Sequence, residues 1–295
     1  MLVTMKAILD RANEGSYAVA APNVSTELDA RASIEAAEEL NAPLILDVAF
    51  SMTADIVFFG SYLTRLADMS FVPVAINLDH GKDFNQAMMA LRAGFTSVMV
   101  DRSQAPYEQN VAEVKEVVKI AHEMGVSVEA ELGHVGQGYQ YAADRAAALT
   151  DPEQAKKFIE ETGVDCLAVS IGTAHGAYKG TPHLEFDLLA KIKEVTKFPL
   201  VLHGGSGTGE ENLRKACRMG INKVNVANDL LRGACDTVTA ADLSGNGAYK
   251  LMGLVREGYK QALKTCIEIY GSDGKAWTPQ VQGLTKAGDL NAEEK

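Results

Sequence analysis

The sequence predicts an α/β fold, a closed (β/α)8 TIM barrel, on three observations. Short apolar or β-branched runs alternate with longer amphipathic ones along the chain. There are eight short runs, which a single repeating strand–helix unit accounts for economically. The length of 295 residues suits one such barrel, commonly roughly 250 residues long. Residues 1–295 therefore read as one domain, with about 271–295 as a polar, loosely patterned C-terminal extension. A doubly wound open sheet is the alternative arrangement.

Taken in order, the candidate strands are residues 17–20, 44–47, 74–78, 97–101, 127–131, 166–170, 200–203 and 223–226. Helical patterns lie between them. Within residues 83–93, Phe84, Met88 and Leu91 recur at helical spacing with Ala87 beside them. Asp151-Pro152-Glu153-Gln154 opens another helix with an N-cap carboxylate, a proline at the first helical position and a capping-box glutamine. Gly94 and Gly125 precede strands and suit helix C-caps. A further helix begins near Glu210.

Composition narrows the function. With 47% hydrophobic residues, the chain has ordinary material for a core. A net charge of -11 argues against nucleic acid or an anionic membrane as partner. It leaves room for a small phosphorylated ligand, which a few backbone N–H groups and one metal can hold. No stretch approaches the roughly 20 apolar residues of a membrane span, and Met1–Lys6 is not a basic start to an apolar run. A cytoplasmic protein is expected. Cys166, Cys217, Cys235 and Cys266 form no CxxC pair and read as reduced thiols.

Barrel chemistry gathers where strands end, and polar residues recur there. Asn77-Leu78-Asp79-His80-Gly81 closes the third strand. Asp101-Arg102-Ser103 closes the fourth, and Glu129-Ala130-Glu131 the fifth. Gly172-Thr173-Ala174-His175-Gly176 follows the sixth, His203-Gly204-Gly205-Ser206-Gly207 the seventh, and Asn225-Val226-Ala227-Asn228-Asp229 the eighth. His80, His175 and His203, each beside a glycine, form a candidate site for a shared metal, since three imidazoles with an open fourth position suit catalytic zinc. His122 and His183 look like bystanders, and His134 is ambiguous. Asp79 can shuttle a proton for a metal-bound substrate or orient an imidazole. Gly204-Gly205-Ser206-Gly207 before a helix suits a phosphate.

These residues resemble the class II, metal-dependent fructose/tagatose-bisphosphate aldolases. The resemblance runs from about Ala18 to Asn228. It is carried by Leu78-Asp79-His80-Gly81, Gly94-Phe95-Thr96-Ser97-Val98-Met99, Val128-Glu129-Ala130-Glu131-Leu132-Gly133, Thr162-Gly163-Val164-Asp165, Ile171-Gly172-Thr173-Ala174-His175-Gly176, Leu200-Val201-Leu202-His203-Gly204-Gly205-Ser206-Gly207 and Lys223-Val224-Asn225. It implies that His80, His175 and His203 bind one zinc ion per chain, and that Asp79 is the acid/base group at the hydroxyl of the cleaved bond. Asn225 would contact the enediolate of a dihydroxyacetone phosphate unit. Gly176, Gly204 and Ser206, with Ala227 and Asn228, would hold its phosphate. Asp101 and Glu131 match acidic positions near the metal, and a monovalent cation (Na+ or K+) is often bound nearby. The resemblance also implies a homodimer or homotetramer.

The chain departs from the family pattern in several places. Asn77 stands where a histidine is usual, and Arg102 where a glycine is. Asp47-Val48-Ala49-Phe50 replaces a polar Gln/Ser pattern, and Asn228 a threonine. Residues 136–141, Gly-Gln-Gly-Tyr-Gln-Tyr, lack the family's proton-moving glutamate, and no carboxylate comes before Asp144. These departures point to an altered aldehyde pocket and an unusual acceptor. A Schiff-base mechanism would need a lysine in the mouth; Lys223, at the start of its strand, is expected on the wrong side. The competing reading is a weakly active or non-catalytic sugar-phosphate binder or companion subunit. A zinc hydrolase is disfavoured by the absence of a His-x-His on the first strand.

Overall fold

The computed structural model describes residues 1–136, 149–176 and 182–278. Eight parallel strands make one sheet in the order β1-β8-β7-β6-β5-β4-β3-β2. They are β1 (Val19–Pro22), β2 (Leu44–Ala49), β3 (Val74–Gly81), β4 (Ser97–Val100), β5 (Ser127–Leu132), β6 (Cys166–Val169), β7 (Leu200–Leu202) and β8 (Ile221–Val226). The sheet curls until β1 meets β2. A parallel bridge pairs Asn23 with Asp47, and the Val24 amide donates to the Asp47 carbonyl at 2.9 Å. The architecture is a nearly closed TIM barrel, as the sequence predicts.

Among the described residues ten α-helices surround it: α1 (Met5–Gly15), α2 (Glu27–Glu39), α3 (Ile56–Met69), α4 (Phe84–Arg92), α5 (Tyr107–Glu123), α6 (Pro152–Thr162), α7 (Phe186–Thr196), α8 (Glu210–Arg218), α9 (Asn228–Thr239) and α10 (Leu251–Tyr270). Their starts follow local chemistry. Asp83 caps α4 by accepting from the Gln86 amide, and Asp151 caps α6 by accepting from Gln154 ahead of Pro152. Gly94 and Gly125 take left-handed conformations just past α4 and α5. No helix among the described residues is long and apolar enough to cross a membrane. The four cysteines are free.

The strand boundaries differ from the sequence reading by one to three residues, with β8 beginning at Ile221 and β2 running on to Ala49. β1 lies two residues further on than expected, and runs through Pro22 to present Asn23. A proline is tolerated there because β1 is paired residue by residue only with β8, and the β1–β2 seam asks little of its missing N–H. β3 extends to Gly81 instead of stopping at Leu78, with an irregularity between Leu78 and Gly81. Of the expected C-terminal extension, Gly274 and Ala276 donate to the Leu40 and Asn41 carbonyls, and Arg11 stacks over the Trp277 ring. Residues 279–295 lie outside the described residues.

Candidate active site

Strand periodicity builds the site. Alternate residues face the barrel interior, so Asp47, Asn77, Asp79, Glu129, Glu131, Lys223 and Asn225 share the inner face with buried apolar residues below them. Asp79 points inward by this alternation, and His80 would then point outward. The structure resolves this at the backbone, where His80 sits in the left-handed region at φ 51°. That conformation is unusual for a side-chain-bearing residue, and it turns the His80 ring into the mouth beside Asp79. Gly81 follows because a Cβ there would overlap the Met99 carbonyl, and Gly204, at φ 70°, because one would collide with the Ala174 backbone. The glycine beside each of these two histidines lets the backbone pass closely enough to aim the ring.

His80, His175 and His203 converge, with one ring nitrogen from each lying within 4.8 Å of the others. His80 Nδ1–H donates to Asp101 Oδ2 at 2.8 Å, and His203 Nε2–H to Glu129 Oε1 at 2.8 Å. Each outer nitrogen is thus tied to a carboxylate. The inner nitrogens, His80 Nε2 and His203 Nδ1, face each other at 3.0 Å. Two nitrogens held at about 2.0–2.1 Å by one tetrahedral ion would stand about 3.3 Å apart. The donor set and its carboxylate backing therefore fit a zinc ion.

The field of the site favours a cation at the same place. Burial works against a charge on His80, but Asp79, Asp101 and Glu131 outweigh it and raise its pKa to about 10. Burial, then His203 and His80, push His175 down to about 3, which keeps its ring neutral and free to coordinate. Burial also opposes ionisation of Asp79, yet His80, His203 and Lys223 hold it down to about 2. Two amides grip its carboxylate, Asn23 Nδ2 at 2.7 Å and Asn225 Nδ2 at 2.9 Å. Asn23 was not among the sequence candidates; its signal is its place directly after β1, hidden by the misplaced strand end.

His80, Asp101 and Glu131 form a second cluster able to hold an ion. Glu131 Oε1 accepts from the Val135 amide at 2.9 Å, while its buried Oε2 has no hydrogen-bond partner among the described residues. Ser103 donates to Asp101 at 2.8 Å and lies 3.1 Å from His134 Nδ1, which brings His134 to this rim. His122 is instead paired with Asp165 at 2.9 Å, and His183 lies 3.8 Å from Glu185.

A cavity of about 160 Å³ opens beside the histidines. Gly176, Gly204, Ser206, Asn225, Ala227 and Asn228 all line it, together with Asp79, His175 and Asn23. The helix terminus at this cavity is that of α9, not α8 as the order of motifs suggests. Ser206 Oγ accepts from the Ala227 and Asp229 amides at 3.3 and 3.2 Å, at the start of α9.

Three sequence expectations about the mouth change. Lys223 is neither at the start of its strand nor on the far side: it is the third residue of β8, fully buried on the inner face. Its ammonium is engaged with Glu129 and Asp47 at 2.9 and 3.1 Å. Burial disfavours the charge, but these two carboxylates outweigh it and hold the pKa above the ordinary lysine value, so no free amine is offered. Arg102 neither narrows the mouth nor reaches toward a ligand; it pairs with Glu113 on α5 and donates to the Lys82 carbonyl at 3.1 Å. Asn77 and Asp47 do not line the cavity. Both are fully buried beneath the histidines, with Asn77 Nδ2 donating to Asp47 Oδ1 at 2.8 Å. Most of the stretch lacking a carboxylate, residues 137–141, lies outside the described residues.

Comparison with known proteins gives a consistent picture. The family described as fructose-bisphosphate aldolase class-II matches residues 3–275. The chain is 40% identical to a fructose-bisphosphate aldolase of Thermus caldophilus, over 94% of this chain and 100% of that one. It is 38% identical to one of Geobacillus stearothermophilus, over 93% and 99%. Among solved structures it is similar to the YdjI aldolase from Escherichia coli K12, with a TM-score of 0.84 and 32% identity over 94% of this chain and 100% of that one.

Proposed function

The chain belongs to the class II fructose-bisphosphate aldolases, carbon–carbon lyases, and from that premise we propose a zinc-dependent aldolase that reversibly cleaves a phosphorylated ketose to dihydroxyacetone phosphate and an aldehyde. The observation that carries this reading is the convergence of His80, His175 and His203 within 4.8 Å beside the doubly held carboxylate of Asp79. The three histidines would hold the zinc, which when bound supplies Lewis acidity where negative charge develops next to the carbonyl.

The chain's own groups do the remainder. Asp79 is ionised and takes the proton of the hydroxyl on the departing carbon as the carbon–carbon bond breaks, which frees the aldehyde. The bonding pair is left on the other fragment as an enediolate, and one proton from solvent then completes dihydroxyacetone phosphate. In the condensation direction Asp79 returns the hydroxyl proton. Asn23 and Asn225 keep the carboxylate aimed, and Asn225 also faces the dihydroxyacetone phosphate unit. Gly176, Gly204, Ser206, Ala227 and Asn228 cradle the phosphate at the start of α9, where backbone N–H groups favour an anion. The cluster of His80, Asp101 and Glu131 is an alternate metal position or, with the unpartnered Glu131 Oε2, a place for Na+ or K+. An aldehyde other than the glycolytic one rests now on the sequence of residues 136–141, since Arg102, Asn77 and Asp47 point elsewhere. The protein is read as a single-domain cytoplasmic homodimer or homotetramer.

The test is a retro-aldol screen of ketose mono- and bisphosphates with purified zinc-loaded protein, trapping released aldehyde. Cleavage should be abolished by EDTA, restored by zinc and absent in His203→Ala. Binding of zinc and dihydroxyacetone phosphate without cleavage of any ketose phosphate would overturn the aldolase reading. It would favour the non-catalytic sugar-phosphate binder, which draws its support from the absent loop carboxylate.

A further inference from the structure

We infer that Lys223 is a positioning residue that fixes both the metal-binding ring of His203 and the base Asp79 from beneath. The inference rests on the zinc reading above. The ammonium of Lys223 donates two hydrogen bonds and makes a third, ion-paired contact. The partners are Glu129 Oε2 at 2.9 Å, Asn225 Oδ1 at 2.8 Å and the ion-paired Asp47 Oδ2 at 3.1 Å. Two hydrogen bonds and one ion pair converge on the group from three strands and fix its direction.

Each acceptor passes that direction on. Glu129 uses its other oxygen to accept the His203 Nε2–H at 2.8 Å, which leaves His203 Nδ1 turned toward His80. Asn225 has its oxygen claimed by the ammonium, so its Nδ2 is the end that faces Asp79, at 2.9 Å. Without Lys223 the amide of Asn225 would have no reason to prefer this orientation, and one oxygen of Glu129 would be unpaired. Asp47 is in turn held by Asn77, so two positions at which the chain departs from the family pattern meet on this one cluster.

Stability alone is a poor explanation for it. Asp47, Asn77, Glu129, Lys223 and His203 are all 0% exposed. A buried ion cluster is commonly no more stabilising than well-packed apolar side chains of the same volume. What it supplies that apolar packing cannot is direction, and here it directs the two groups nearest the proposed chemistry.

The experiment measures zinc affinity by chelator competition, and the visible absorption of cobalt-substituted protein, for Lys223→Met and for Lys223→Met/Asp47→Asn. The double variant removes the carboxylate that the single variant strands. Zinc should bind about tenfold or more weakly in both, in line with the usual effect of losing a residue that supports a metal ligand. The cobalt spectrum should shift. Ile45→Val, on the same inner face but below the cluster, should lower the melting temperature and change neither readout. Wild-type zinc affinity and an unchanged cobalt spectrum in the folded double variant would overturn the inference, as would failure of both Lys223 variants to fold. His203→Ala separates the two readings: if it too binds zinc normally, the zinc reading itself is wrong.

Discussion

The two ends of the barrel interior are built from the same strands and differ in every physical respect. At the base, Val19, Ala21, Ile45, Ala75, Met99 and Val201 pack against Met5, Ile8, Leu9 and Ala12 of α1, which closes the barrel from below. Higher in the barrel, the inner face carries Asp47, Asn77, Asp79, Glu129, Lys223 and His203, all buried. Ile45 and Asp47, or Val201 and His203, are two residues apart on one face. The difference teaches that the base makes a stable container, while the mouth holds charges whose cost is met by mutual pairing. Stability and chemistry are therefore separable by substitution.

The largest expected effect is at the mouth. Asp79→Ala should lower the turnover of zinc-loaded protein by about 10²–10⁴-fold with zinc content retained, read from kcat and metal analysis on the same sample. Substantial turnover in this variant would break the assignment of the base. At the other end, Ile45→Ala should cost about 2–5 kcal/mol of stability in urea denaturation, with kcat per folded molecule unchanged. A fall in kcat there would show that the two ends are not separable. Asn23→Ala should reduce kcat by about 10–100-fold, the worth of a hydrogen bond to a charged group at about 1.5–3 kcal/mol, with little change in melting temperature. The smallest effect is expected for Arg102→Ala. Its pair with Glu113 is partly exposed and worth about 0–1 kcal/mol, so activity should stay at the wild-type level; a marked change in KM would return Arg102 to the mouth.

Much of this was legible in order along the chain. Alternation of short and long runs indicates the barrel, and polar residues after successive strands indicate its working end, because strand ends and loops are local features. The capping of α6 by Asp151 and Pro152 is equally local. Asn23 was hidden because Pro22 reads as a strand terminator, and only its pairing with β8 shows that the strand passes through it. Lys223 was misjudged because its role depends on which face of β8 turns inward and on carboxylates far away in sequence, Asp47 and Glu129.

By itself the sequence determined the repeating strand–helix unit, the residue types available at the mouth and the glycines that let histidines sit beside tight backbone. Tertiary structure alone decided which of those residues touch. His80 enters the site through one left-handed backbone angle, Asn77 and Asp47 leave the pocket for the cluster below, and Arg102 turns outward to α5. The physical reason is range. Propensity and periodicity act over neighbouring residues, whereas the energy of a buried charge depends on partners that only closure of the barrel brings within about 3 Å.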